Sequence, residues 1–130
     1  MSAVVLGYVP NALGDAAAKA AVAEARQRGA TLVVVNTTRA DRLVDPAYAD
    51  DEDMSRLQDT LRTSGVDFTV HHGTSKDTAA EDVLEAAVRH AAELIVIGLR
   101  HRTPVGKLIM GSTAQSILLG AACNVLAVKP

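Results

Sequence analysis

The chain has 130 residues, 48 % of them hydrophobic, with 13 basic side chains against 15 acidic ones and a formal net charge of −2. That length predicts one domain spanning residues 1–130, able to bury roughly two-thirds of its unfolded surface in a core of Ala, Val, Leu and Ile. The charge excludes the basic footprint of a nucleic-acid binder, Tyr8, Tyr48 and Phe68 are too few to make a base-stacking platform, and no apolar run reaches the ~18 residues of a membrane span.

Met1-Ser2-Ala3-Val4 carries no charged leader, so no secretory signal is expected. Ala3 to Val9 reads as a strand rich in Val and Leu. Leu13 to Arg28 reads as an alanine-rich helix, ended by Gly29 at the C-terminal cap position. Thr31 to Thr37 is a second strand with a continuous Leu-Val-Val-Val centre. A loop from Thr38 to Ala49 carries Pro46. Asp50-Asp51-Glu52-Asp53 then opens a helix, where negative charge suits the amino end, and that helix runs to Ser64 before Gly65. Val66, Phe68 and Val70 alternate with Asp67, Thr69 and His71, the period of a strand with one wetter face near a sheet edge.

Asp77 or Thr78 is placed to cap a helix through Ala91, with Val83, Leu84, Ala87 and Val88 on its inner face. Leu94-Ile95-Val96-Ile97 forms a buried strand, and Arg100 to Ile109 a loop with Thr103-Pro104 and Gly106. Ser112 to Ala121 is the last helix and Asn124 to Lys129 the last strand. The lone Cys123 between them cannot close an internal disulfide and suits a reducing cytoplasm. Five strands alternating with four helices specify a parallel sheet covered on both faces and doubly wound, with its ligand site beyond the carboxyl ends of the strands where the winding reverses. The segments after the first strand and after the fourth flank that point.

Gly98 ends the fourth strand, and Gly111-Ser112-Thr113 opens the last helix. Together they make a seat for an anion, with main-chain donors facing one crevice. Arg100, His101, Arg102 and Lys107 concentrate positive charge beside it inside an acidic chain.

Other patterns carry less. Gly106-Lys107 lacks the flanking residues of a phosphate loop, since His101 and Leu108 occupy those positions. His71 and His72 point to opposite faces of a strand and cannot chelate one metal together. The acidic run at Asp50 is explained by the helix dipole rather than by a cation. Cys123 reads as a packed thiol. Ser112 lacks the glycine two residues on that a nucleophile elbow uses, so hydrolase chemistry is not expected.

The run Ile97-Gly98-Leu99-Arg100, then Gly106-Lys107-Leu108-Ile109-Met110-Gly111-Ser112, then Asn124-Val125-Leu126-Ala127-Val128-Lys129 resembles the universal stress proteins, and the resemblance covers essentially the full length. Nucleotide-binding members carry glycine, two residues, glycine, nine residues, glycine and then serine or threonine. Gly98, Gly111 and Ser112 match the first, third and fourth of those points, while His101 stands at the second. Val9 stands where the ATP-binding relatives place an aspartate.

The resemblance implies a Rossmann-like, three-layer α/β/α sandwich whose five-stranded parallel sheet has the order 3-2-1-4-5. It implies a cytoplasmic stress-response protein that binds an adenine nucleotide, ATP or AMP with magnesium accompanying ATP, or a related anion, without efficient turnover. In that reading Tyr8, Val9 and Thr37 line the base and ribose end. Ile97, Gly98, Gly111, Ser112 and Thr113 surround the phosphates, and Arg100, His101 and Lys107 balance charge. A homodimer through the last strand, Val125 to Lys129, is implied as well. The competing expectation, carried by Val9 and His101, is a dimeric interaction module that has lost the nucleotide and works through protein partners.

Overall fold

The computed structural model describes residues 2–42, 44–100 and 110–130. In chain order the elements are β1 (Ala3–Gly7), α1 (Ala12–Arg28), β2 (Thr31–Arg39), α2 (Asp51–Ser64), β3 (Phe68–Ser75), α3 (Ala79–Arg89), β4 (Leu94–Gly98), α4 (Ser112–Gly120) and β5 (Asn124–Val128). The strands form one sheet in the order β3-β2-β1-β4-β5, and every pairing is parallel. The expected three-layer α/β/α architecture is the one observed.

Alternation along the strands divides the core. Val4, Leu6, Leu32, Val34 and Val96 pack on one face with Ala17, Ala21 and Ala25 of α1 and Met54, Leu57 and Leu61 of α2. Val5, Val33, Val35, Ile95 and Ile97 pack on the other with Val83 and Ala87 of α3 and Ile117 of α4. β1 is inaccessible on both faces, which is why its sequence reads as an unbroken apolar run. Each fully buried Val, Leu or Ile contributes about 1.5–3 kcal/mol to keeping these layers closed.

The boundaries differ from the sequence expectation where pairing or turning decides them. β1 ends at Gly7, because the chain turns at once and the Asn11 N–H donates to the Val9 carbonyl at 2.9 Å. β2 continues to Arg39 and β3 to Ser75, since Thr38 pairs with Thr74 and Arg39 with Ser75. β3 is an edge strand, as its alternation indicates. Asp50 and Thr78 stand outside their helices as N-caps. α3 stops at Arg89, and Ala91 then adopts φ 50°. Val88, expected on its inner face, is 75 % exposed. The buried stripe is Ala80, Val83 and Ala87, and Val88 lies about 100° further round the helix. β5 ends at Val128. The expected loop from Arg100 to Ile109, with His101 and Lys107, falls outside the described residues except for Arg100.

Candidate functional site

The winding reverses between β1 and β4, which are neighbours with helices departing to opposite faces. A cavity of about 380 Å³ opens at their carboxyl ends. Tyr8, Val9, Thr37, Ile97, Gly98, Arg100, Gly111, Ser112 and Thr113, nine residues proposed from sequence, all line it. His101 and Lys107 lie outside the described residues. Arg42, Asp45, Pro46 and Ala47, on the loop after β2, line it as well, and sequence reasoning did not single them out.

Gly98 and Gly111 line this cavity and Gly14 lies on the helix start beside it, and the three have different reasons for being glycine. A Cβ on Gly14 would sit 1.6 Å from the Val9 carbonyl oxygen, so the first turn of α1 lies directly on the chain leaving β1. A Cβ on Gly98 would sit 2.5 Å from the Leu13 carbonyl oxygen. Gly98 was expected to let a phosphate approach, but here it makes room for the backbone of α1. Gly111 has φ −66°, and a Cβ there would meet nothing within 4 Å among the described residues. Neither its backbone conformation nor packing against the described residues requires glycine at that position.

The donors are distributed unevenly. The Leu99 N–H at the end of β4 is spent on the Val128 carbonyl at 2.7 Å, so this donor belongs to the sheet. α1 starts at the cavity with Asn11 as N-cap, whose Oδ1 accepts from the N–H groups of Leu13 at 2.9 Å and Gly14 at 3.2 Å. α2 and α3 have full capping boxes and acidic first turns. The Asp53 N–H and the start of its helix hold the Asp50 carboxyl below its ordinary pKa, and hydrogen bonds from Thr78 do the same for Glu81. α4 has neither device: Gly111 gives no side-chain cap, and the first turn holds no acid. Its positive end borders the cavity, and no side chain among the described residues caps its first N–H groups.

The opposite wall is the loop after β2, and it is fastened from below. Asn36, 4 % exposed, donates through Nδ2 to the carbonyls of Tyr8 at 2.8 Å and Ala47 at 2.9 Å, while its Oδ1 accepts from the Ala49 N–H at 2.9 Å. The His72 ring stacks on Tyr48 at 4.6 Å, and its Nε2 lies 2.8 Å from the Ala49 carbonyl, which fixes that nitrogen as a donor. Asp45 accepts from the Thr38 hydroxyl at 2.6 Å and from the Ala47 N–H at 3.0 Å, with the Arg42 guanidinium 3.6 Å away. Asn36 had a signal in the sequence, a lone amide ending a run of valines. Asp45-Pro46 had one too, an aspartate before a turn proline.

Two lining residues have their hydroxyls engaged elsewhere. The Tyr8 phenol is buried and donates to Asp15, 3.5 Å away. Burial first, and then the negative charge of Asp15, push its pKa up to about 12. The Thr37 hydroxyl donates to the Asp82 carboxylate on α3. Away from the cavity, His71 and His72 do point to opposite faces, His71 toward His90 and His72 toward Tyr48. Cys123 is half-buried against the α3–α4 core. Asp77, Asp82 and Glu85 bring carboxylate oxygens within 4.8 Å of one another at the start of α3, outside this cavity. Among the described residues no helix is long and apolar enough to cross a membrane.

Residues 1–129 match the model of the universal stress protein family. The chain belongs to that family. A universal stress protein of Mycolicibacterium smegmatis is 42 % identical over 127 residues, covering 98 % of this chain and 97 % of that one. The solved universal stress protein of Archaeoglobus fulgidus superposes with a TM-score of 0.74 at 30 % identity, over 99 % of this chain and 98 % of its own. An Archaeoglobus fulgidus universal stress protein solved in complex with dAMP shares the fold, with a TM-score of 0.68 at 22 % identity and the same coverage of both chains. The order β3-β2-β1-β4-β5 is thus that of a universal stress protein fold.

Proposed function

We propose that this universal stress protein binds an adenine nucleotide, ATP or AMP, in the cavity at the β1–β4 switch point and does so without efficient turnover. The observation that carries the reading is the start of α4. It is the one helix start among the four with neither a side-chain cap nor an acid in its first turn, and it opens onto a cavity of nucleotide size. Gly111 adds no side chain in front of it, Ser112 and Thr113 add hydroxyls, and the exposed Arg100 adds positive charge. A related universal stress protein holds dAMP, which supports the adenine class. Magnesium would accompany ATP by bridging its phosphates. Val9 and the buried Tyr8 line the base and ribose end. The whole chain acts as one universal stress protein domain, a cytoplasmic stress-response protein.

The protein pairs through β5. That strand is the outer edge of the sheet, and its free side at Val125 to Lys129 would continue the ladder into a second copy. Analytical ultracentrifugation should give twice the chain mass, and a monomer at high micromolar concentration removes the pairing.

A thermal-shift and calorimetric series with ATP, AMP and cyclic AMP, with and without magnesium, tests the binding. A nucleotide present at a hundred times its dissociation constant adds ~2.7 kcal/mol of stability. No shift with any of them transfers the protein to the competing reading, a dimeric module acting through protein partners. Steady release of phosphate from ATP would make it an enzyme.

A further inference from the structure

The cavity is electrostatically two-ended. The bare start of α4 and Arg100 lie on the β4 side of β1, and the loop after β2 lies on the other side. That loop contributes Asp45, the one carboxylate lining the cavity among the described residues. Its side chain is only 9 % exposed, so it is not an ordinary surface acid. The Thr38 hydroxyl occupies one oxygen and the Ala47 N–H the other. Arg42 at 3.6 Å is a neighbouring charge rather than a hydrogen-bond donor. An ionised carboxylate has about four lone-pair positions, so two hydrogen bonds leave Asp45 able to accept more.

The alternatives at this end are spent or unsuitable. Asn36 Oδ1 already accepts from the Ala49 N–H, the Thr37 hydroxyl is turned to Asp82, both are neutral, and Val9 presents an apolar side chain. The Asn36 clamp on Tyr8, Ala47 and Ala49 holds the turn that carries Asp45, so the acceptor is in place before any ligand arrives. A carboxylate fixed in a cavity wall favours a hydrogen-bond donor and disfavours an acceptor or an anion.

Resting on the adenine-nucleotide reading, we infer that Asp45 is the specificity-determining acceptor of the cavity. It receives a hydrogen bond from the nucleoside part of the ligand, the ribose 2′-hydroxyl or the exocyclic amino group, and keeps the phosphates at the α4 end.

The test compares ATP, 2′-deoxyATP, ITP and inorganic tripolyphosphate by calorimetry, on the full-length protein and on Asp45→Asn. Asparagine can still meet Thr38 and the Ala47 N–H, so the turn is kept while the charge and one acceptor oxygen are lost. Asp45→Ser, which also supports such a turn, serves if the asparagine variant misfolds by circular dichroism. We expect the wild type to prefer ATP over 2′-deoxyATP (a ribose donor) or over ITP (an amino donor) by about tenfold. We expect that preference to vanish in Asp45→Asn while tripolyphosphate binds no more weakly than before. Equal wild-type affinity for all three nucleotides, or a preference unchanged in the variants, overturns the role of Asp45 and leaves the nucleotide reading standing. No binding of ATP by the wild type overturns both.

Discussion

α1 and α4 both begin at the same cavity, yet their starts are built differently. α1 is sealed: Asn11 takes two of its free N–H groups, and Gly14 lets its first turn lie against the chain leaving β1. Leu13 meanwhile presses on Gly98. α4 is open among the described residues: none of their side chains caps it, its first turn holds no acid, and a Cβ on Gly111 would meet none of them. A sealed helix start is a structural joint. An open one at a cavity mouth leaves its unsatisfied donors for something that is not part of the chain. The two glycines at this crevice divide the same way, Gly98 serving the joint and Gly111 the opening.

Substitutions can break that contrast. The largest effect belongs to Gly14→Ala, where a methyl carbon cannot coexist with the Val9 carbonyl at 1.6 Å. Urea unfolding should show a loss of about 3 kcal/mol or more, beyond ordinary overpacking. Gly98→Ala should cost about 1–3 kcal/mol as Leu13 is pushed away, and a neutral result would reopen Gly98 as a ligand position. Asn11→Ala, which removes the seal on α1, should cost about 1 kcal/mol.

At α4 the sign reverses. Thr113→Glu puts an acid into the bare first turn and should stabilise the ligand-free protein by about 0.3–1 kcal/mol, while competing with phosphate and weakening ATP binding in calorimetry. Destabilisation together with unaltered binding would remove the distinction between the two starts. An effect confined to high pH concerns the floor beside α1. The Tyr8 phenol ionises near 12 in the folded protein and near 10.0 when unfolded. The folded state therefore keeps a proton that the unfolded chain has released, and stability falls as pH rises through that window. Absorbance at 295 nm in Tyr48→Phe, where Tyr8 is the remaining tyrosine, follows it directly, and a midpoint at 10 would mean that Tyr8 is not buried beside Asp15.

Much of the site was readable from local chemistry. A valine run ending in glycine marks a buried parallel strand, and its position in an alternating series places it beside the winding reversal. For that reason Gly98, Arg100, Gly111, Ser112 and Thr113 could be named in advance, while Tyr8, Val9, Thr37 and Ile97 came from the resemblance to the universal stress proteins. The loop wall could not. Asp45 and Arg42 lie in a stretch without periodicity, and they enter the cavity only because Asn36 and His72, from two adjacent strands, fasten residues 47 and 49. Long-range hydrogen bonds of this kind leave no spacing pattern in the chain. The purpose of Gly98 was hidden for a related reason. Glycine tolerates close approach from any direction, and only the packing of α1 specifies what approaches.

The sequence alone determined the α/β class, the covered parallel sheet, the helix ends at Gly29, Gly65 and Thr78 and the family, because periodicity and end-residue chemistry act over a few residues at a time. Tertiary structure alone decided which helix start stays open, which glycine is a joint, and which carboxylate faces the cavity, because those outcomes depend on contacts between segments dozens of positions apart.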